Sequence, residues 1–206
     1  MKVFLDSSKV SEIERWKPVI DGLTTNPSIL LKDGGNIDDL FRVFPGKPIS
    51  VEATGDFETD AREYSRKYTN AVVKIPLLRP EGGDNLSLIS KLAGDGISIN
   101  CTALFSLGQV ILATKAGSKY VSLFGGRVDD EGGEWTAVAA DCMQFLQGQE
   151  TELIIGSIRT VGMVKDCVRC GVDIVTIPPD VLKKMIESKF SRFTVQQFEE
   201  DAKKLK

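Results

Sequence analysis

Eight short runs of apolar, mostly β-branched residues recur along the chain with an amphipathic stretch between each pair, and this repetition constrains the fold more than any other feature. The runs are Val3 to Leu5, Gly22 to Thr24, Ile49 to Glu52, Val72 to Ile75, Ile97 to Cys101, Tyr120 to Leu123, Leu153 to Ile155 and Ile174 to Ile177. Most are near-continuous in apolar character rather than alternating, as expected of parallel strands covered on both faces. The intervening stretches include S-E-I-E-R-W-K-P-V-I, L-S-L-I-S-K-L and W-T-A-V-A-A-D-C-M-Q-F-L, with turn signals at Gly34-Gly35, Gly82-Gly83 and Gly132-Gly133. Eight strand-helix units within 206 residues predict an α/β fold, a single (β/α)8 TIM barrel domain over 1–206. A doubly wound open sheet is the structural alternative. Residues 192–206 read as an extra C-terminal helix with Val195, Phe198, Ala202 and Leu205 on one face. That face is expected to dock on the chain's own barrel or on a neighbouring subunit.

Composition limits the chemistry. The chain has no histidine, which excludes Ser-His-Asp triads, Cys-His pairs and histidine-ligated zinc, and leaves acid-base work to carboxylates, lysine, tyrosine or water. A net charge of -3 gives no general attraction to nucleic acid or anionic membrane, so an anionic ligand must be caught by local arginines and backbone amides. The N-terminus M-K-V-F-L-D-S-S-K lacks the apolar core of a signal peptide, and no run approaches the roughly 18 apolar residues of a membrane span, so a cytoplasmic location is expected. Four cysteines are too few for a disulfide framework in a chain of this length. Cys167 and Cys170 form a C-x-x-C late in a helical pattern, just before Gly171, whereas redox pairs sit at helix N-termini. They are read as structural thiols, with Cys101 and Cys142 as core residues.

In such a barrel the chemistry gathers at the C-terminal ends of the strands. Taken in order, those ends carry Asp6, then Thr24, Thr25 and Asn26, then Glu52, Lys74, Thr102, then Ser122, Phe124 and Arg127, then Ser157 and Arg159. Lys74 lies in N-A-V-V-K-I-P-L-L, an odd place for an ammonium group. It either snorkels out of the strand mouth or points into the barrel. In the second case it loses hydration, its pKa falls, and the neutral amine can attack a ketone or aldehyde to form a Schiff base. Asp6 follows V-F-L and could cap the first helix, although Ser7 and Ser8 could do that instead. Glu52 closes I-S-V, where a carboxylate must be solvated or paired. With a lysine of low pKa, these two provide the proton transfers that aldol cleavage requires. Arg127 and the G-S-I-R run, Gly156 to Arg159, suggest an anion site in which Ser157 and amides at a helix start assist two guanidinium groups.

The motifs L-D-S-S-K-V, L-T-T-N-P-S-I-L, V-V-K-I-P, I-N-C-T-A-L-F-S, S-L-F-G-G-R-V-D and D-I-V-T-I-P-P-D-V-L resemble, in order and spacing, the transaldolases, specifically the short subfamily that includes fructose-6-phosphate aldolase. The resemblance covers nearly the whole chain and implies the same (β/α)8 barrel. It implies that Lys74 is the Schiff-base lysine, that Asp6 is the acid-base group at the cleaved bond, and that Glu52 and Thr102 hold the water that shuttles protons. Thr24, Asn26 and Ser122 would bind the dihydroxyacetone part of the substrate, with Phe124 beside them, and Arg127, Ser157 and Arg159 would grip the sugar phosphate. No cofactor and no metal are implied, and the partners would be sugar phosphates of the pentose phosphate pathway. Glu52 and Phe124 stand where the aldolases have glutamine and tyrosine, which favours transaldolase over the alternative, fructose-6-phosphate aldolase. Ser7-Ser8 replaces a common Thr-Ala, the loop L-L-R-P-E-G-G-D-N is longer than typical, and Ile158 replaces a common aromatic residue. Subfamily members are usually homodecamers built from pentamers, so a homo-oligomer is expected.

Overall fold

The computed structural model describes residues 1–205. Its eight strands close in chain order into one parallel barrel, with β8 pairing back onto β1. The strands are β1 (Lys2–Asp6), β2 (Gly22–Thr24), β3 (Ile49–Glu52), β4 (Ala71–Pro76), β5 (Ile99–Leu104), β6 (Tyr120–Phe124), β7 (Glu152–Gly156) and β8 (Ile174–Ile177). The helices are α1 (Val10–Trp16), α2 (Pro27–Asp33), α3 (Ile37–Val43), α4 (Phe57–Lys67), α5 (Leu86–Gly94), α6 (Leu107–Lys115), α7 (Gly125–Asp130), α8 (Trp135–Leu146), α9 (Val161–Cys170), α10 (Pro179–Ile186) and α11 (Lys189–Lys204). Every strand pairs on both sides, so the (β/α)8 expectation holds and the open sheet, which would leave two free edges, does not. Two units carry a second helix, α3 after α2 and α8 after α7, and α11 follows the eighth unit.

The strands alternate more than their apolar runs suggest. Leu5, Leu23, Val51, Val73, Ile75, Cys101, Val121, Leu123, Ile155 and Val175 belong to one large core with the helices. Phe4, Val72, Tyr120, Ile154 and Ile174 form a separate small cluster that plugs the barrel interior. Phe4 and Tyr120 meet edge to face with ring centroids 6.2 Å apart. Opposite Phe4 on β2 stands Gly22, where a Cβ would lie 2.6 Å from the Phe4 ring. Two residues beyond this floor, one step toward the C-terminal end on the same inward face, come Asp6, Lys74, Ser122 and Thr176. The interior is therefore an apolar plug beneath a polar layer, and the outward positions alone carry the barrel-to-helix core.

Some boundaries differ from the sequence reading. β5 begins at Ile99 and runs on through Thr102 to Leu104, with a register shift between Cys101 and Leu104 and Ala103 at φ 58°. The bulge lets the strand continue past the residue where its apolar run ends. α11 starts at Lys189 rather than 192, capped by Ser188, whose side chain accepts from the Ser191 amide. It buries none of its residues; Phe193 and Phe198 are 66% and 67% exposed, and Phe190 is exposed too. Of the two docking modes expected for this tail, packing on its own barrel does not occur. Among the described residues no helix is long and apolar enough to cross a membrane.

Candidate active site

The location of Lys74 follows from the alternation of β4. Val73 and Ile75 face the helices, so Lys74 and Val72 face the interior, and Lys74 is only 4% exposed. Its Nζ donates to the Thr25 carbonyl oxygen at 2.6 Å and lies 3.1 Å from Glu52 Oε2. Glu52 stands directly across the β3–β4 ladder from Lys74. A buried ammonium group is tolerated only with such partners, because unpaired it would lose several kcal/mol of hydration. Snorkelling out of the strand mouth is thereby excluded.

Asp6 occupies the equivalent inward position on β1. Thr24 Oγ1 donates to Asp6 Oδ1 at 2.7 Å, and the Thr24 and Thr176 hydroxyls are 2.5 Å apart. Burial lifts the Asp6 carboxyl above the ordinary carboxylate range; the Thr24 hydrogen bond and the Lys74 charge pull it back, and the Asp33 charge adds to the rise. Asp6 caps no helix. α1 has Lys9 at its N-cap and no side-chain cap at all.

Eight of the eleven residues to which the resemblance gives a role line one cavity of about 140 Å³: Asp6, Thr24, Asn26, Lys74, Ser122, Phe124, Arg127 and Ser157, joined by Gly156 and Thr176. This is room for a few-carbon unit rather than a large ligand. Asn26 accepts from the Ile29 amide through Oδ1 at 2.9 Å as N-cap of α2, which leaves its amino group as the free donor. Glu52 touches Lys74 from one side and also borders a larger groove of about 890 Å³ under the loops after β3 and β4. That groove holds none of the other ten. Thr102 is buried, and its Oγ1 has no hydrogen-bond partner among the described residues.

Sequence reasoning missed part of the polar layer. Asn100 donates through Nδ2 to Ser50 Oγ at 3.2 Å and accepts from Ser122 Oγ at 2.7 Å. This commits the Ser122 proton and leaves its oxygen lone pairs toward the cavity. Asn100 is the β5 residue in register with Lys74. The signal for Asn100, Ser50 and Thr176 was a polar residue inside an apolar run, spaced by two from another inward residue. The Thr25 carbonyl, being backbone, had no such signal.

The anion side is partly as expected. Ser157 sits in the left-handed region at φ 59°, and a Cβ on Gly126 would lie 2.9 Å from Arg159 Nε, so the ends of β6 and β7 are pressed together there. The Arg127 guanidinium rests 5.7 Å from the Phe124 ring centroid. Arg159, however, is not in the cavity wall; it forms a two-pronged ion pair with Asp130, both contacts 2.5 Å. The helix start that lies against Ser157 is that of α7, whose second residue Gly126 would carry a Cβ 3.0 Å from Ser157 Oγ, and not that of α9. α9 begins at Val161, and its N-cap Thr160 accepts from the Met163 amide at 3.2 Å. The C-x-x-C is at the end of α9 before Gly171, and burial pushes the Cys167 thiol up to about 12, which fits an inert structural thiol. Among the described residues no group of three or more His, Cys, Asp or Glu is placed to hold a metal ion.

Residues 3–206 match the model of the family described as transaldolase/fructose-6-phosphate aldolase. The chain belongs to this family. Among family relatives, a "Probable transaldolase" of Thermodesulfovibrio yellowstonii is 37% identical over all of both chains. One of Nitrosopumilus maritimus is 34% identical over 100% of this chain and 96% of its own, and one of Methanococcus maripaludis is 37% identical over 96% and 95%. A crystal structure of a Pediococcus acidilactici lactate oxidase aligns with a TM-score of 0.65 over 86% of this chain and 62% of its own, at 11% identity. That likeness is one of barrel fold alone. As a transaldolase-type enzyme, the chain thus has its buried lysine, its half-buried aspartate and its lining hydroxyls in one cavity at the C-terminal end of the barrel.

Proposed function

We propose that the protein is a transaldolase that moves a dihydroxyacetone unit from a ketose phosphate, fructose 6-phosphate or sedoheptulose 7-phosphate, to an aldose phosphate through a Schiff base on Lys74. The observation that carries this reading is the burial of Lys74 beside Glu52 in a polar cavity that also contains Asp6. Glu52, 3.1 Å away, takes a proton from the ammonium group so that the amine attacks the ketone carbon. The resulting carbinolamine loses water to give the protonated imine. Thr102 Oγ1, buried and unpartnered, and Glu52 are the groups that hold this water.

The ionised Asp6 carboxylate then takes the proton of the C4 hydroxyl. The C3–C4 bond breaks, its electron pair flows to the iminium nitrogen to form an enamine, and the aldehyde departs. The enamine attacks an acceptor aldehyde, Asp6 returns its proton to the new alkoxide, and water hydrolyses the imine to free Lys74. Thr24, Asn26 and Ser122 are the hydrogen-bonding groups for the three-carbon unit. Arg127 and Ser157 are those for the phosphate, with Arg159 able to join them by exchanging its solvent-exposed partner Asp130 for the phosphate. The exposed apolar face of α11 supports the further reading that the enzyme is a homo-oligomer in which this helix reaches a neighbour.

The deciding experiment measures glyceraldehyde 3-phosphate released from fructose 6-phosphate with and without erythrose 4-phosphate. Release that requires the acceptor is the expected result. Equal release without it would mean an aldolase, and no borohydride-trapped adduct on Lys74 would end the Schiff-base reading altogether.

A further inference from the structure

Asp33, the last residue of α2, lies outside the reacting set, yet its carboxylate is aimed at the chain that follows Asp6. Its Oδ2 accepts from Ser7 Oγ at 2.7 Å, from the Ser8 amide at 2.9 Å and from Ser8 Oγ at 3.5 Å. Ser7 Oγ in turn accepts from the Lys9 amide at 3.2 Å, and both serines are buried. Gly35 closes the other side of the turn, where a Cβ would lie 2.9 Å from the Ser8 carbonyl oxygen. The Ser7-Ser8 turn is therefore held between the end of α2 and the end of β1, with Gly35 packed directly against Ser8. Asp6 is one peptide bond upstream. It is gripped from inside the barrel by Thr24 and from outside through this turn.

We infer that Asp33 is a positioning residue for Asp6: it anchors the Ser7-Ser8 turn so that the Asp6 carboxylate faces the cavity, and it places a second negative charge behind that carboxylate. The inference rests on the role given to Asp6 above. A carboxylate is well suited to this place because one oxygen gathers several donors at once. It also explains the Ser7-Ser8 pair, whose hydroxyls and amide supply those donors.

The charged groups facing Asp6 are Lys74 from β4 and Asp33 from α2, with Arg127 of α7 across the cavity. β2 and β8 offer only hydroxyls, those of Thr24 and Thr176. On its outer side Asp6 borders a groove of about 360 Å³ whose rim carries Lys9, Glu12, Lys32, Asp180 and Lys183. Of these charges, Lys74 draws the Asp6 carboxyl down and Asp33 pushes it up. Removing the Asp33 charge must therefore move Asp6 to lower values.

Two variants separate anchoring from charge. Asp33→Asn keeps an oxygen acceptor for Ser7 and Ser8 but loses the charge; Asp33→Ala loses both. In Asp33→Asn, the titration midpoint of Asp6, read from its carboxyl carbon by NMR, should move to lower pH, and the acid limb of kcat should move with it. In Asp33→Ala, kcat should fall by about tenfold or more while donor KM changes little, because the lost order affects the proton-transfer step more than binding. An unmoved Asp6 midpoint in Asp33→Asn, or an Asp33→Ala enzyme with the kcat and pH profile of the parent, overturns the inference. The carboxyl titration requires no turnover, so it decides the matter even if the parent traps no adduct on Lys74 and the transaldolase reading fails. Should Asp33→Ala not fold, Ser7→Ala, which removes the 2.7 Å donor to Asp33, tests the anchoring in its place: kcat should fall with little change in donor KM, and a parental kcat overturns the inference.

Discussion

Asp6→Asn should make the protein more stable and almost inactive, and the two effects have one cause. The Asp6 carboxyl is raised in the folded state, chiefly by burial. Between its unfolded and folded values, the native state binds the proton more tightly than the unfolded chain does. Its contribution to stability is therefore fully present at low pH and is lost as pH rises through the folded value. Above its folded value the ionised group is a net cost that the amide does not incur. Asparagine preserves the oxygen that accepts from Thr24 Oγ1 at 2.7 Å, and its amino group faces the cavity, where it can be hydrated. Lys74 loses one attractive charge but retains Glu52 at 3.1 Å and the Thr25 carbonyl at 2.6 Å. The net gain should be about 1 kcal/mol, in the range of other substitutions that relieve a functional site. In a chain of this size that is roughly 2–4 °C in Tm. Turnover should fall by about 10²–10⁴-fold as the proton-transfer group is lost. Melts of parent and variant at pH 4.5 and pH 8, at one protein concentration, provide the check. A variant no more stable than the parent at pH 8, or a gap of equal size at both pH values, would refute the argument.

Lys74→Met should abolish the borohydride-trapped mass adduct and turnover together while the barrel stays folded, since Glu52 keeps a hydrated edge; normal turnover in this variant would sink the mechanism. Gly22→Ala should destabilise the barrel by about 1–3 kcal/mol, because its Cβ would meet the buried Phe4 ring at 2.6 Å; an unchanged denaturation midpoint would mean that the floor of the barrel can repack. Val195→Glu combined with Phe198→Glu, both on the exposed apolar face of α11, should reduce the assembly state measured by sedimentation without lowering monomer stability, and an unaltered mass would count against that face as a contact between copies.

The arrangement of the site was legible where period-two alternation could be counted. V-V-K-I-P places Lys74 opposite in facing to Val73 and Ile75, and V-F-L-D does the same for Asp6 relative to Leu5, so strand geometry gives the shared facing, while the closed barrel makes that face the inward one. Asn100 and Ser50 obey the same rule, yet went unread, because each is a single polar residue within a run taken as uniformly apolar. Arg159 was legible as a residue near the anion side but not as the partner of Asp130, since the two come from different units and meet only when β6 and β7 lie side by side. The anchoring of the Ser7-Ser8 turn by Asp33 joins residues about 25 positions apart. No local pattern announces such a contact.

The sequence by itself determined the number of strands, the α/β class with a helix between successive strands, and the set of polar residues at the strand ends. All of these depend on local periodicity and short motifs. Tertiary structure alone decided that the strands close into a barrel, which residues of each run face inward as its apolar floor, how Lys74 is satisfied by Thr25 and Glu52, and that α11 finds no place on its own barrel. Those outcomes depend on closure of the sheet: the shear that aligns eight strands sets which inward residues share a level, and that level is a property of the whole ring rather than of any one strand.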